Sequence, residues 1–459
     1  MMRMRYVLLV VIACAVAMGV AATRVNLSPD AGLTPDDILR DVQEKFETFG
    51  SAAVASVVVA AIATVATLAR PGFGLGLMLA EFLPLSILSN LGFVNSNALT
   101  YCWVIVTLVV LAVRRPTPGV RRPSLLAAVI YIGYVFFESL RSEEPYLALV
   151  LFLRASSMMA ALYAIVPRLR LEEYRQALLL GVVGSVLSGA IVLFTGLMAV
   201  DVERLGKHWG LNPNALGHGM VMPLLFCLDV IVREDARTYY AWIFSLAILG
   251  FCIVLTGSRG AMLAAVLSTL VVAPPLRGRS WVLLVILPML VAVFMGLTES
   301  KHLAALDRVA EVLTRNADVE RVTSGRASLA EVALDVFRQA PVLGIGSRNF
   351  ENMTERMGIV SSKDRLGLNT HNIVFTVLCE QGALGFFLFL LWLLALARVA
   401  AYARPVSRFP LGALVAFVIL GLSAGYNLTA EYGFMLGGAF LMSPVRQRAL
   451  APLPAGGVA

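Results

Sequence analysis

NTHNIVFTVLCEQGALGFFLFLLWLLALAR, residues 369–398, decides the fold. From Ile373 it stays apolar long enough to cross a bilayer, which takes about 20 residues. Before it lies a polar island, residues 298–370, that ends on His371-Asn372. Outward from this stretch, nearly everything else reads as lipid-buried. The 459-residue chain is 59% hydrophobic and only 14% charged, where a soluble domain carries roughly 25% charge. The expected class is an all-α polytopic membrane protein, with about 12–14 transmembrane helices and one large extracytoplasmic helical loop.

The net charge of +8 sits in short arginine clusters between apolar runs. That is the pattern of membrane anchors and gives no reason to expect a nucleic-acid partner. The five cysteines all lie in apolar segments without a CxxC pair, so they read as small core residues. No Walker loop, GxGxxG or HExxH occurs, and Gly344-Ile345-Gly346 lacks a third glycine and a preceding strand. No nucleotide partner is expected, and no internal repeat is evident.

Crossings are expected near residues 6–22, 50–69, 73–90, 98–113, 124–140, 146–165, 177–198, 214–232, 239–256, 260–275, 281–297, 372–397, 411–427 and 431–444. The first, after Arg3 and Arg5, reads as a signal anchor rather than a cleaved signal peptide, because the topology works only if it stays. Alternate connections then fall into two sets. One contains Arg70, Arg114, Arg115, Arg121, Arg122, Arg168, Arg170, Arg175, Arg233, Arg237, Arg277, Arg279, Arg398, Arg404, Arg408, Arg446 and Arg448. The other contains 30–47, 138–144, 201–214, the long loop and 426–432. By the positive-inside rule the first set and both termini are cytoplasmic, which puts the long loop on the extracytoplasmic side. Three parts are expected: an N-terminal bundle of about 11 helices over 1–297, the loop over 298–370, and C-terminal helices with a short tail over 371–459.

This side of the membrane has no ATP pool, so an enzyme there needs an already activated substrate. The loop carries ten basic and ten acidic residues, so its charges act locally. Residues 303–314 have helical periodicity. Thr323-Ser324-Gly325 signals a second helix from Arg326 to Gln339, stopped by Pro341. Gly344-Ile345-Gly346 reads as a turn, and 351–368 as a polar, mobile stretch.

Four outer residues stand out. Arg259 breaks two apolar runs, Arg326 opens the loop helix, Arg348 follows the glycine turn, and His371 ends the loop. Guanidinium groups grip phosphate in bidentate fashion, and a histidine near neutrality takes a proton. Together they can hold a diphosphate and deprotonate an attacking hydroxyl. The competing reading makes the arginines snorkelling anchors and His371 a cap. His208, beside Trp209, can line an acceptor site or act as an interface anchor; Arg204 and Lys207 read as phosphate contacts or as solvated loop charge. His218 reads as packed between helices.

The pieces Thr323-Ser324-Gly325-Arg326, then 340–350 (APVLGIGSRNF), then Thr370-His371-Asn372-Ile373-Val374-Phe375, then Glu380-Gln381-Gly382-Ala383-Leu384-Gly385 resemble the O-antigen ligase and polymerase superfamily. Ser258-Arg259-Gly260-Ala261 matches its Ser-Arg-Gly element, and Asn212-Pro213-Asn214-Ala215 a looser outer-loop element. The resemblance covers about residues 205–400. It implies an inverting glycosyltransferase with a glycan on undecaprenyl diphosphate as donor, needing no nucleotide sugar, metal ion or other cofactor. The implied acceptor is a lipid A-core or another glycan, with the chemistry surrounded by membrane lipids. Carried over, Arg259 and Arg326 bind the diphosphate and His371 is the general base. Asn212, Asn214, His208, Asn372 and Arg348 become candidates for substrate binding, though Arg348 has no firm counterpart in the family pattern. An acidic segment at 26–49 and the higher helix count depart from that pattern. Two other readings stay open: a protein O-oligosaccharyltransferase, and a flippase for the same class of lipid-linked glycan. A flippase would need charged residues at mid-membrane depth, and few are seen (Arg154 and Asp229).

Overall fold

The structure is a computed structural model. It describes residues 122–198, 204–207, 211–233, 239–273, 326–359, 368–424 and 430–442, with 70–72, 75, 76 and 79. The expected crossings at 6–22, 50–69, 98–113 and 281–297, most of 73–90, the helix at 303–314 and His208 lie outside these residues.

The described residues form eleven helices and no strand. They are α1 (Arg122–Leu140), α2 (Pro145–Met159), α3 (Leu171–Met198), α4 (Pro213–Arg233), α5 (Tyr239–Leu255) and α6 (Arg259–Val272). After the undescribed stretch come α7 (Arg326–Gln339), α8 (Asn349–Arg356), α9 (Ile373–Ala403), α10 (Phe409–Ala424) and α11 (Ala430–Leu441). The α2 helix continues through a π-helical stretch, Ala160–Ile165, and a 3-10 turn, Val166–Arg168. Five segments are long and apolar enough to cross a membrane: Pro123–Leu140, Pro145–Arg168, Leu171–Thr195, Pro213–Arg233 and Ile373–Ala403. Four shorter apolar helices accompany them. The protein is an all-helical, multi-pass membrane protein. Each crossing expected within the described residues has its helix.

The axis of the bundle is α4, which packs against α3, α5, α6 and α10. Such an enclosed helix has no lipid face, and apart from Gly219 it is buried without interruption from Leu216 to Ile231. On the far side of α10, α9 packs against α1. Tyr131 of α1 stacks on Trp392 of α9 with ring centroids 6.1 Å apart and planes 9° from parallel. Both are fully buried. The Trp392 indole N–H donates to the Tyr163 hydroxyl at 3.1 Å, which donates in turn to the Ser124 carbonyl at 3.0 Å. An indole N–H without a partner would be costly in this dry setting, and the chain of two bonds joins α9, the π-helical stretch and the start of α1.

The two ends of the bundle differ in how they are tied. At one end, Asp229 at the close of α4 pairs with Arg233 and accepts from Ser407 at 2.9 Å, while Arg233 donates to the Val406 carbonyl at 3.1 Å. At the other end, the Leu205 amide donates to the Leu255 carbonyl at 3.0 Å, and the 340–357 segment lies on the α1–α2 corner. Among the described residues, the structure thus gathers Arg233 and 404–408 at one end, and 138–144, 204–207, 211–214, 256–258 and 340–357 at the other. This is the grouping expected from alternation.

Removing the Tyr163 hydroxyl takes away the hydrogen-bond acceptor of the buried Trp392 indole N–H. Tyr163→Phe should lower the melting temperature of the purified protein, with a cost of about 1–3 kcal/mol. Unfolding followed by tryptophan fluorescence measures it.

Candidate functional site

Three helix starts meet at the loop-bearing end. The α5–α6 corner is a tight turn in which Gly257 adopts φ +60° and Ser258 caps α6 by accepting from the Ala261 amide at 3.4 Å. Glycine is needed there because the left-handed region repels a Cβ. Arg259 is the first residue of α6 and is half-buried. The start of α4 presses on this corner: a Cβ on Gly217 would lie 2.8 Å from Thr256 Oγ1 and 3.3 Å from Ser258 Cβ. The end of α10 presses from the other side, since a Cβ on Gly260 would clash with Ser423. Two residues back along α10, the Gly421 Cα faces Ile373, the first residue of α9; a Cβ there would be 3.0 Å from the Ile373 side chain. The α10 end therefore stands between the start of α6, with Arg259, and the start of α9, with His371.

His371 has φ +48°. A non-glycine residue there is strained, and such strain persists only where the surroundings enforce it. Here the enforcement is visible. The His371 amide donates to Asn369 Oδ1 at 2.9 Å; Thr370 Oγ1 lies 2.5 Å from Thr376 Oγ1 and 2.9 Å from the Asn372 carbonyl. Asn372 caps α9, its Oδ1 accepting from the Val374 and Phe375 amides at 2.9 and 3.4 Å. That cap holds the imidazole-bearing residue at the helix threshold, half-buried.

The other candidates sort by their partners. Asn212 caps α4, with Oδ1 accepting from the Asn214 amide at 2.9 Å. Asn214 Oδ1 accepts from Arg204 Nη2 at 2.8 Å, and Arg204 Nε donates to the Thr256 carbonyl at 2.7 Å. Arg204, read from sequence as a phosphate contact or solvated charge, instead pins the outer loop to the Arg259 corner. Arg348 has φ +65°, stands just before α8 without a side-chain cap bond, and pairs with Glu351 at 2.6 Å. His218 is buried on α4 with Nε2 3.5 Å from Ser423 Oγ, packed between helices as expected. For Arg326 the structure describes the backbone, which opens α7. The α7 residues Val332, Ala333 and Val336 share a cluster with Phe375 and Cys379 of α9. The helix ends where α9 breaks, so Arg326 begins it at the opposite end, toward the opening of α9.

That break is the feature sequence reasoning missed. Inside α9, Gly382 has φ +68° and ψ −171°. This interrupts the helical ladder, and residues 341–346 take up the released groups. Ile345 and Gly346 amides donate to the Cys379 and Glu380 carbonyls at 3.0 and 2.9 Å; Ala383 and Leu384 amides donate to the Pro341 and Val342 carbonyls at 2.8 and 3.1 Å. A Cβ on Gly344 would meet the Glu380 backbone, and a Cβ on Gly382 the Val342 carbonyl and the Gly344 amide. The turn expected at 344–346 is therefore also a docked strand-like clasp. The stretch 351–368, expected to be mobile, begins within a helix, α8, with Asn349, Phe350 and Thr354 buried. The buried Glu380 carboxylate accepts from the Arg348 and Phe350 amides at the start of α8. The signal for this was the Glu-x-Gly in an otherwise apolar run.

No group of histidine, cysteine and acidic residues able to hold a metal occurs among the described residues. Alanine at 382 would occupy a conformation that is nearly glycine-only, at about 1–3 kcal/mol. Gly382→Ala should thus lower the melting temperature and speed proteolysis within 344–359, read by limited trypsin digestion.

Residues 244–390 match the model of the O-antigen ligase family. The matched segment runs from α5 through the Arg259 corner, the loop and the α9 break. No curated protein matches the chain.

Proposed function

We propose that this chain, whose residues 244–390 match the O-antigen ligase family model, works as a ligase- or polymerase-type enzyme and transfers a glycan from undecaprenyl diphosphate to a hydroxyl acceptor. The convergence of helix starts carries the reading: α4, α6 and α9 open at one end of the bundle, α6 with Arg259 and α9 with His371. Helix starts carry a positive dipole end, which favours an anion. Adding guanidinium groups makes the end suited to a diphosphate in particular.

The roles follow. Arg259 and Arg326 bind the diphosphate and stabilise the negative charge that builds as the bond to the sugar breaks. His371 takes the proton of the acceptor hydroxyl while that oxygen attacks the anomeric carbon from the face opposite the diphosphate. One glycosidic bond forms, the sugar–phosphate bond breaks with inversion, and undecaprenyl diphosphate leaves. The strained backbone at His371 supports a role that fixes the imidazole in one place. The arginine distribution supports a periplasmic setting for this end, with both termini in the cytoplasm. The acceptor is a lipid A-core or a second lipid-linked repeat.

His371→Ala should abolish transfer, by at least ~10²-fold, while leaving membrane insertion intact. Arg326→Lys should retain under roughly a tenth of the rate, because a point charge does not replace a planar fork. Both are read by glycan transfer from a purified lipid-linked donor. Full activity of the histidine variant would remove the proposed base. The same assay in EDTA should give the untreated rate; loss of transfer would mean a metal takes part.

A further inference from the structure

The 341–346 segment is held from two sides, by the break in α9 and by the α1–α2 corner. Arg141 at that corner donates through Nη1 to both carboxylate oxygens of Glu138, at 2.8 and 2.7 Å. The same nitrogen donates to the Leu343 carbonyl at 3.0 Å, and Nη2 donates to the Gly344 carbonyl at 2.9 Å. Glu138 is fully buried. A buried carboxylate is tolerable only when paired, so it holds the guanidinium fork in one orientation. Tyr134, one turn earlier on α1, donates to the Gln381 carbonyl at 2.8 Å, so α1 also grips the break itself. Beyond the turn, Asn349 accepts from the Glu143 amide at 2.8 Å and donates to the Ile345 carbonyl at 2.6 Å. Arg356 pairs with Glu143 through both nitrogens, at 3.2 and 2.7 Å.

We propose that Arg141, oriented by Glu138, is a positioning residue: it seats the 341–346 turn on the break in α9 and so fixes α7, which opens with Arg326, relative to the helix that opens at His371. None of these clamp residues lies among the three helix starts, so Arg141 acts through the loop and touches no reacting atom. This rests on the reading of the site given above. A displacement of about 1 Å at a catalytic group can cost ~10²-fold in rate, so the clamp should show in turnover rather than in donor affinity.

The test uses the full chain in lipid nanodiscs with an undecaprenyl-diphosphate-linked glycan as donor. Arg141→Gln should lower kcat at least tenfold with KM for the donor within twofold, and should speed tryptic cleavage after Arg356 at least fivefold. Arg141→Lys, which keeps the ion pair and loses the fork, should fall between. Tyr134→Phe removes a single hydroxyl and should show the same pattern, a few-fold in size; it carries the test if Arg141→Gln does not accumulate. A kcat loss without faster cleavage would overturn positioning in favour of direct contact, and wild-type kcat with faster cleavage would show that the seating does not matter for turnover. Should the unaltered protein transfer no glycan from this donor, the reading of the site fails; the cleavage rates still decide whether Arg141 seats the loop.

Discussion

A helix that breaks inside a membrane protein must find partners for the amides and carbonyls it releases. Lipid offers none, and each unpaired group costs several kcal/mol. The constraint at Gly382 organises the whole loop-bearing end. Four backbone bonds from residues 341–346 close the gap, which fixes where α7 ends, where α8 begins and how the loop lies on α1. The break also resolves a length problem. The 31 residues of α9 would extend about 46 Å as one helix, against a hydrocarbon core of about 30 Å. Residues 383–403 suffice for a crossing, which leaves the first turns of α9 free to serve as wall and threshold for the loop.

The opposite end is built on different terms. There a buried aspartate, an arginine and a serine join α4 to the α9–α10 corner through side chains. The loop-bearing end has side-chain ties as well, and adds to them the backbone pairing across the α9 break.

What the sequence disclosed and what it hid have the same physical root. Crossings were legible because each is a local property of about 20 residues, and α7 was legible from its start signal and the proline after it. The positions of His371, Arg259 and Arg326 were legible too, because each stands at a helix boundary that hydropathy marks. The clasp was not, since its partners are remote in sequence: Tyr134 and Gln381 are 247 positions apart. Composition likewise misled at α8, where Asn349, Glu351, Asn352, Thr354 and Glu355 look like loop residues. Burial of Phe350 and the Glu380 carboxylate at the start of α8 overcome that preference. His208, and the side chain of Arg326, lie outside the described residues.

The end of α10 separates the helix bearing Arg259 from the helix bearing His371, and small residues line it. Ser423 fits because residue 260 is glycine, and Ile373 fits because residue 421 is glycine. The separation of Arg259 from His371 is then a matter of side-chain volume at this helix end. Such a spacer is a gauge: one added methyl group there would widen the separation without altering any charge, so the distance is written in residues with no chemistry of their own.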